Sequence, residues 1–482
     1  MIMEYLFNSS DKPYLKYFKE ICSIPHTSYD EKALSDYIVK FAQERNLWCE
    51  QDELFNVIIK KPASSGYENH PAVMLQAHID MVGVKEDGVS FDFKKDPLNI
   101  YEKDGFIYAE GTSLGADCGH GISYILAILD SHDLKHPPLE VLFTVQEEVG
   151  MGGAKSVDYS KFKAKNLIGT DSMIEGRPEM STTTVISGNL VKENAMYENK
   201  TKSFHLSVRG LAGGHGGADI HRERANAIKI AARILYNLSK QSVIKIGSIT
   251  GGTLPNNIPS LSDVFFTCDN GDILHLSETV KDFSEKIKEE YSFSEPAISI
   301  NIDEMPVLEK TISEENTSDI INLLSIIPVG VYMRNAENPE ILIASRNMGM
   351  VQWENGKLTI NYMMRSSVKS QISLLMGEME IISGIYDVRW HTECEYSGYS
   401  RKPGSALYKI YEDVYREETG KELNPLHIHA GTEGGTILEH IKDIDMICIG
   451  PNTQYIHTPK ERLDIASYHR AYNYIIKVLK QL

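Results

Sequence analysis

The chain has few cysteines for its 482 residues, only six (22, 49, 118, 268, 394 and 448), and none of them form a C-x-x-C pair. Scattered through a chain this long, they argue against a disulfide framework and for reduced thiols in a cytoplasm. Basic residues are in deficit: 49 Lys and Arg face 67 Asp and Glu, a formal charge of −18. Phosphate backbones are bound by basic surface, so this balance excludes a nucleic-acid partner. No apolar run approaches the ~20 residues that a membrane helix requires. The apolar stretch 320–333 is short and interrupted by Asn322, Ser325 and Pro328, so no membrane partner is expected. The opening "MIMEYLFNSSDKPYLKYF" lacks a basic start and carries Glu4 in its apolar part, which reads as no secretion signal. Low-complexity tracts and tandem repeats are missing too. What is left, 42% hydrophobic and 24% charged, is a globular composition. The length calls for two or three domains.

Helix and strand patterns alternate in the first part. "YLKYFKEICSI" and "EKALSDYIVKFAQERN" space their apolar residues as helices, while "NVIIKK" and "AVMLQAHIDMV" read as strands. A helix through "GHGISYILAILDSH" then leads to the strands "LEVLFTV" and "NLIGTD". That succession predicts a largely parallel sheet flanked by helices. From about Gly188 the order becomes strand "SFHLSVRG", helix "RERANAIKIAARILYNLSK", strand "LTINYMMRS", helix "SQISLLMGEMEIIS" and strand "DVRWHTECE". This pattern is a split βαβ module, enlarged by an insertion running to about Glu340. The last part, "ALYKIYEDVYREETG", "PLHIHAG", "DMICIGP" and "IASYHRAYNYIIKVLKQL", returns to helix–strand alternation. The pattern predicts a discontinuous α/β domain, residues 1–187 and 397–482, interrupted by an α+β domain, residues 188–396.

Four pairs of adjacent glutamates occur. Glu289–Glu290, Glu314–Glu315 and Glu417–Glu418 have charged surroundings, but Glu147–Glu148 ends the apolar "VLFTV". Carboxylates at the end of a buried strand are costly unless a cation or hydrogen bonds compensate them. Strands of an open parallel sheet end at one shared crevice. His78 and Asp80, Glu147 and Glu148, Asp171 in "GTDS", His457 beyond "DMICIG", and Asp117 ahead of its helix can therefore converge. Two histidines and three carboxylates suit two divalent ions, zinc most naturally, with one carboxylate bridging. Asp80, in an H-x-D, can accept the second ring N–H of His78. Adjacent glutamates in extended chain point opposite ways, so one can bind metal while the other faces a water. Taken singly, Asp117 is also a plausible helix N-cap and Asp171 an Asx turn. Cys118 with His120 reads either as a buried thiol beside an unrelated histidine or as a nucleophile and its base.

Together "HIDMV", "GADCGHG", "VQEEVGMGGA", "GTDS", "RGLAGGHGGADIH" and "HTPKERLDIAS" resemble, in order and nearly end to end, the dinuclear zinc exopeptidases that include carnosinases and aminoacylases. The resemblance implies a zinc-exopeptidase catalytic domain with an inserted lid domain. It implies a cytoplasmic metallopeptidase, a homodimer, with two divalent ions per chain, zinc first and cobalt or manganese as alternatives. Its substrates would be dipeptides, either Xaa-His of the carnosine kind or a broad range. An N-acyl amino acid amidohydrolase and a non-catalytic peptide-binding relative are the alternatives.

What the resemblance implies extends to single residues. His78, Asp117 and Asp171 would hold one ion, Glu148 and His457 the other, with Asp117 bridging and followed by a non-proline cis peptide. Asp80 would orient His78, and Glu147 would be the general base. In the inserted domain, His215 of "GGHGG" would stabilise the oxyanion and Asn256 of "GGTLPNNIPS" would contact substrate. Arg365 of "NYMMRSS" would clamp the terminal carboxylate with its bidentate fork, and Gly431 of "HAGTEGG" would lie near the substrate. The family commonly reads HAGLE-C-G at that last place, and Ala-His where this chain has Leu254–Pro255. Neither departure touches a proposed metal ligand.

Overall fold

The computed structural model describes residues 12–268 and 273–482. The opening residues on which the absence of a secretion signal was read lie mostly outside that range. The chain forms two compact units. One comprises the described residues up to Thr182 with Tyr399–His427 and Thr432–Leu482, the other Thr183–Gly398 with Ile428–Gly431. The crossing points fall at Thr182 and Gly398 because Thr184–Glu193 is one unbroken strand, paired along its whole length within the second unit's sheet. The segment 428–431, expected with the catalytic domain, belongs to the second unit. There Thr183 N–H donates to the Ala430 carbonyl and Arg365 to the His429 carbonyl.

The first unit is built on a six-stranded sheet in the order Trp48–Gln51, Val57–Lys61, Leu139–Thr144, Val73–His78, Asn166–Gly169 and Asp445–Cys448. The last four run parallel, and the first two are added antiparallel at one edge. This is the mixed, largely parallel sheet of the α/β reading. Val73–His78 and Leu139–Thr144 are buried at every position, as central parallel strands covered on both faces must be. That is why Gln76, His78 and Glu140 lie inside despite their polarity. The helix Ala116–Asp130 is buried almost throughout. It packs on the Val73–His78 strand and on the helix Pro13–Cys22, whose Tyr14, Leu15, Phe18 and Ile21 face the core.

The second unit is an antiparallel sheet of nine strands among the described residues. Ser203–Arg209, Lys357–Ser366 and Arg389–Tyr396 correspond to the split βαβ strands, with helices Ala227–Ser239 and Lys369–Tyr386, and Thr184–Glu193 is a further strand not read from the pattern. The stretch read as an insertion enlarges the module by adding strands to this sheet. Ser262–Cys268 pairs with Ser203–Arg209, and Ile244–Gly251 lies between it and Leu342–Glu354. Two helices not expected from the pattern, Ile273–Glu290 and Glu314–Ile326, lie in the same stretch.

One strand was over-read. "PLHIHAG" supplies only the two-residue bridge Leu426–His427, and the helix Glu433–His440 follows. The strand stops there because the next residues, 428–431, leave the first unit.

Candidate metal centre

Four parallel strands end at one place in the first unit. His78 is the last residue of its strand and Asp80 lies two residues on. Glu147 and Glu148 occupy the turn after Leu139–Thr144, Asp171 follows Asn166–Gly169, and His457 lies beyond Asp445–Cys448. Asp117 comes from the first turn of the buried helix, where the backbone leaves helical values and the Asp117–Cys118 bond is cis, as the resemblance implied.

The side chains meet there. His78 Nε2 is 3.0 Å from Asp117 Oδ1 and 3.8 Å from Asp171 Oδ1. His457 Nε2 is 3.3 Å from Asp117 Oδ2 and 2.9 Å from Glu148 Oε1. Asp117 thus presents one carboxylate oxygen to each histidine. His78 Nδ1 lies 3.0 Å from the Asp80 carbonyl and 3.5 Å from its carboxylate. The carbonyl is the nearer acceptor for a proton on Nδ1, which turns Nε2 toward the Asp117 and Asp171 carboxylates. The Asp80 carboxylate has a different duty. It accepts the N–H of Glu147 (3.0 Å), the N–H of Glu148 (3.2 Å) and the Ser28 hydroxyl (2.8 Å), holding the two-glutamate turn.

The turn itself has little freedom. Gln146 and Met151 adopt φ 58°, and Gly150 φ 125°. A Cβ on Gly153 would lie 2.3 Å from the Val145 carbonyl, so only glycine fits the close approach. Glu31 accepts the Gln146 N–H and Asn56 the Val145 N–H.

Five carboxylates, Asp80, Asp117, Glu147, Glu148 and Asp171, share this space with two histidines. Even with both imidazoles protonated the cluster would be negative, and its donor set of imidazole nitrogens and carboxylate oxygens is the one divalent ions prefer. Ligand atoms of Asp117, Glu148 and His457 lie within 4.8 Å of one another, as do those of His78, Glu147 and Glu148, and of His78, Cys118 and Asp171. The residues present therefore fit a pair of cations. The titrations tell the same story. Burial and then the charge of Asp117 push the Asp171 carboxyl up to about 7. Burial opposes the charge of Asp117, but hydrogen bonds from His457 and His78 win and hold it well below the carboxylate range. Hydrogen bonds to Asp117 and Glu148 raise His457 to about 10. Burial, despite His78 nearby, pushes Glu147 well above the usual carboxylate range.

Cys118 and His120 do not form a nucleophile pair. His120 directs Nδ1 to the Ala116 carbonyl (2.5 Å) and Nε2 to the Thr170 carbonyl (2.7 Å), leaving neither nitrogen for the thiol. Burial pushes the Cys118 thiol well up, away from thiolate. Sequence reasoning also missed Glu433, which is fully buried and accepts hydrogen bonds from Gln76 (2.6 Å) and Thr144 (2.7 Å). It reads as an ordinary helix-start acid, and only the fold shows it inside.

The remaining candidates lie in the second unit. His215 sits in a two-residue bridge with Asn257–Ile258, and the Gly216 N–H donates to the Asn256 carbonyl (2.7 Å). His215 Nδ1 accepts the N–H groups of Gly217 (3.2 Å) and Ala218 (2.9 Å), so its proton resides on Nε2. Burial and the nearby Arg365 lower its pKa and keep it neutral. Arg365 is 6% exposed and donates only to the His429 carbonyl and the Met363 sulfur, with no carboxylate at ion-pair distance among the described residues. Burial, then Arg365, pushes His429 down to about 3. Gly431 lies in the same unit, where a Cβ would come within 2.8 Å of Tyr396 Cβ.

Comparison with known proteins adds the following. Residues 74–481 match peptidase family M20/M25/M40. The chain is 31% identical over 484 aligned residues to the cytosol non-specific dipeptidase of Escherichia coli K12, covering 100% of this chain and 99% of the relative. It is similar to the crystal structure of aminoacylhistidine dipeptidase from Vibrio alginolyticus, with TM-score 0.91, 31% identity and 100% and 99% of the two chains covered. Aminopeptidase PepT from Bacillus cereus, at 15% identity, TM-score 0.55 and 98% of each chain, shares the fold.

Proposed function

Because the chain belongs to peptidase family M20/M25/M40, we propose that it is a metal-dependent dipeptidase that cleaves the single peptide bond of a free dipeptide. The observation that carries this reading is Asp117, with one oxygen toward His78 and the other toward His457 in a cluster richer in acids than in bases. His78, Asp117 and Asp171 would hold one ion, and Asp117, Glu148 and His457 the other. Zinc is our choice for such a mixed imidazole and carboxylate set. Bound there, the ions supply Lewis-acid polarisation of the scissile carbonyl and lower the pKa of water toward ~7.

Glu147 is outside both ligand sets. It takes the proton of the attacking water and returns it to the leaving amine, a role suited to a carboxyl that burial raises well above the usual carboxylate range. His215, neutral with its proton on Nε2, donates to the developing oxyanion, a contact worth ~3–4 kcal/mol of transition-state stabilisation. Arg365 is a buried guanidinium lacking an anion, and the C-terminal carboxylate of a free peptide supplies one in bidentate fashion. Asn256, beside the His215 turn, and Gly431, where a Cβ would lie 2.8 Å from Tyr396 Cβ, are carried as further proposed substrate contacts of the second unit. The cytoplasm is the proposed compartment, since none of the six cysteines is in a disulfide.

The test is hydrolysis of a Xaa-His dipeptide by metal-stripped protein before and after zinc is restored, with an N-acetyl amino acid as the competing substrate. Activity toward the dipeptide that returns with about two zinc per chain supports the proposal. Activity indifferent to chelation, or confined to the N-acetyl compound, would sink it.

A further inference from the structure

Glu461 is 2% exposed and has no cationic partner among the described residues. Its carboxylate is nevertheless fully engaged by backbone. Oε2 accepts the N–H groups of Leu114 (2.8 Å) and Gly115 (3.0 Å), and Oε1 those of Ala116 (2.9 Å) and Asp117 (3.4 Å). These donors form the turn that enters the helix Ala116–Asp130. Gly115, at its N-cap with φ 65°, has no side chain to satisfy them. The opposite side of the same turn is held as well, because His120 takes the Ala116 carbonyl and ties it to the Thr170 carbonyl, next to Asp171.

Glu461 lies four residues after His457 in "HTPKERLD", just ahead of the strand Arg462–Asp464. One loop therefore carries a histidine to the Asp117 carboxylate and grips the backbone from which Asp117 projects. A side chain without an acceptor in place of this carboxylate would leave four buried N–H groups unpaired, and the turn would have to move.

We infer that Glu461 is a positioning residue of the metal centre. Through four backbone hydrogen bonds it fixes the aim of Asp117 toward both histidines and ties that aim to the loop of His457. The inference rests on the two-metal reading above and deepens it. Glu461→Gln keeps the size of the side chain but turns one acceptor into an amide N–H opposed to backbone N–H groups. Loss of a partner at this distance from a metal weakens binding about 10–100-fold.

The experiment is titration of metal-stripped wild type and Glu461→Gln with cobalt(II), read by stoichiometry and by the visible d–d bands. Melting curves and far-ultraviolet circular dichroism of the metal-free forms accompany it. The expected result is two ions in the wild type and, in a variant whose metal-free fold and melting match the wild type, at least one ion bound about 10–100-fold more weakly with changed bands. Unchanged affinities and bands would overturn the inference even if turnover fell. Should metal-free Glu461→Gln not fold, Glu461→Asp goes through the same titration. A partial loss of affinity there supports the positioning role, whereas wild-type affinity, or failure of both variants to fold, overturns it. A wild type that takes up no cobalt would instead remove the two-metal reading on which the inference stands.

Discussion

Glu147 and Glu148 share a charge and a turn, yet their surroundings separate them. Glu148 faces His457 at 2.9 Å, while Glu147 is among the groups whose pKa burial raises. Glu147→Gln should keep its metal, measured by elemental analysis, and lose about 10²–10⁴-fold in kcat. Loss of metal in that variant would mean that Glu147 is a ligand. Arg365→Ala should raise KM for free dipeptides about 10–100-fold, the worth of a charged hydrogen-bond pair of about 1.5–3 kcal/mol, and barely alter it for C-terminally amidated ones. Equal effects on both substrates would dismiss the carboxylate clamp. At this scale the gathering of His78, Asp117, Glu148, Asp171 and His457 was readable because they follow strands of one sheet or open a helix. Glu461 and Glu433 were not, because a buried carboxylate paired with distant backbone or amide groups has no local signature. Nor did the H-x-D spacing reveal that the Asp80 carbonyl, not its carboxylate, is the closer partner of His78.

Elements are held to one another by polar contacts as well as by apolar faces. The helix Ala227–Ser239 is capped by Asn226, which accepts the Ile228 and Lys229 N–H groups, and buries Ile228, Ile230, Ile234 and Leu235. Its Lys229 crosses to the C-terminal end of Glu314–Ile326 and donates to the carbonyls of Leu324, Ser325 and Ile327. Those carbonyls carry the negative end of that helix. Burial lowers the Lys229 pKa to about 8 all the same. Between pH 8 and the ordinary lysine value of ~10.4 the unfolded chain then binds the proton that the folded chain has released, so this group makes stability rise with pH. Below pH 8 its penalty is constant. The stability difference between wild type and Lys229→Met, from urea titrations at a series of pH values, should therefore shift in favour of wild type as pH climbs through that window. A difference independent of pH would show that the ammonium is not destabilised by burial. The helix period of Ala227–Ser239 was legible, but its partner helix Glu314–Ile326 was not, since its apolar residues also fit a strand-rich insertion.

For the molecule as a whole, chain order and spatial order diverge. The first unit is assembled from three stretches of sequence and the second from two. The proposed metals join only parts of the first unit: the segments around His78, Asp117, Glu147, Asp171 and His457. Ligands that bind the folded state alone stabilise it by about 2.7 kcal/mol at a hundredfold excess over Kd. Chelation should therefore lower the melting temperature of the first unit. It should also raise amide exchange in segments 78–80, 114–118, 145–151 and 455–461, while the sheet of the second unit keeps its protection. Uniform loss of protection in both units would contradict metal sites confined to the first. Among the described residues no helix is long and apolar enough to cross a membrane, in keeping with the absence of any such run in the sequence.

The sequence by itself determined the class of many elements, since a short apolar run bounded by turn residues reads as the buried strand Leu139–Thr144 and a spacing of three and four as the helix Ala227–Ser239. It also determined where chemistry would gather, because histidines and acids at the ends of parallel strands are drawn to a single edge of the sheet. Only the tertiary structure decided which oxygen of Asp117 faces which histidine and which nitrogen of His215 carries the proton. It alone decided that 428–431 belongs to the second unit and that Glu461 grips the turn of Asp117. Each of these depends on which groups the folded backbone places side by side, for Glu461 and 428–431 from hundreds of residues apart, and the identity of a residue says nothing about the carbonyl or N–H that folding will place beside it.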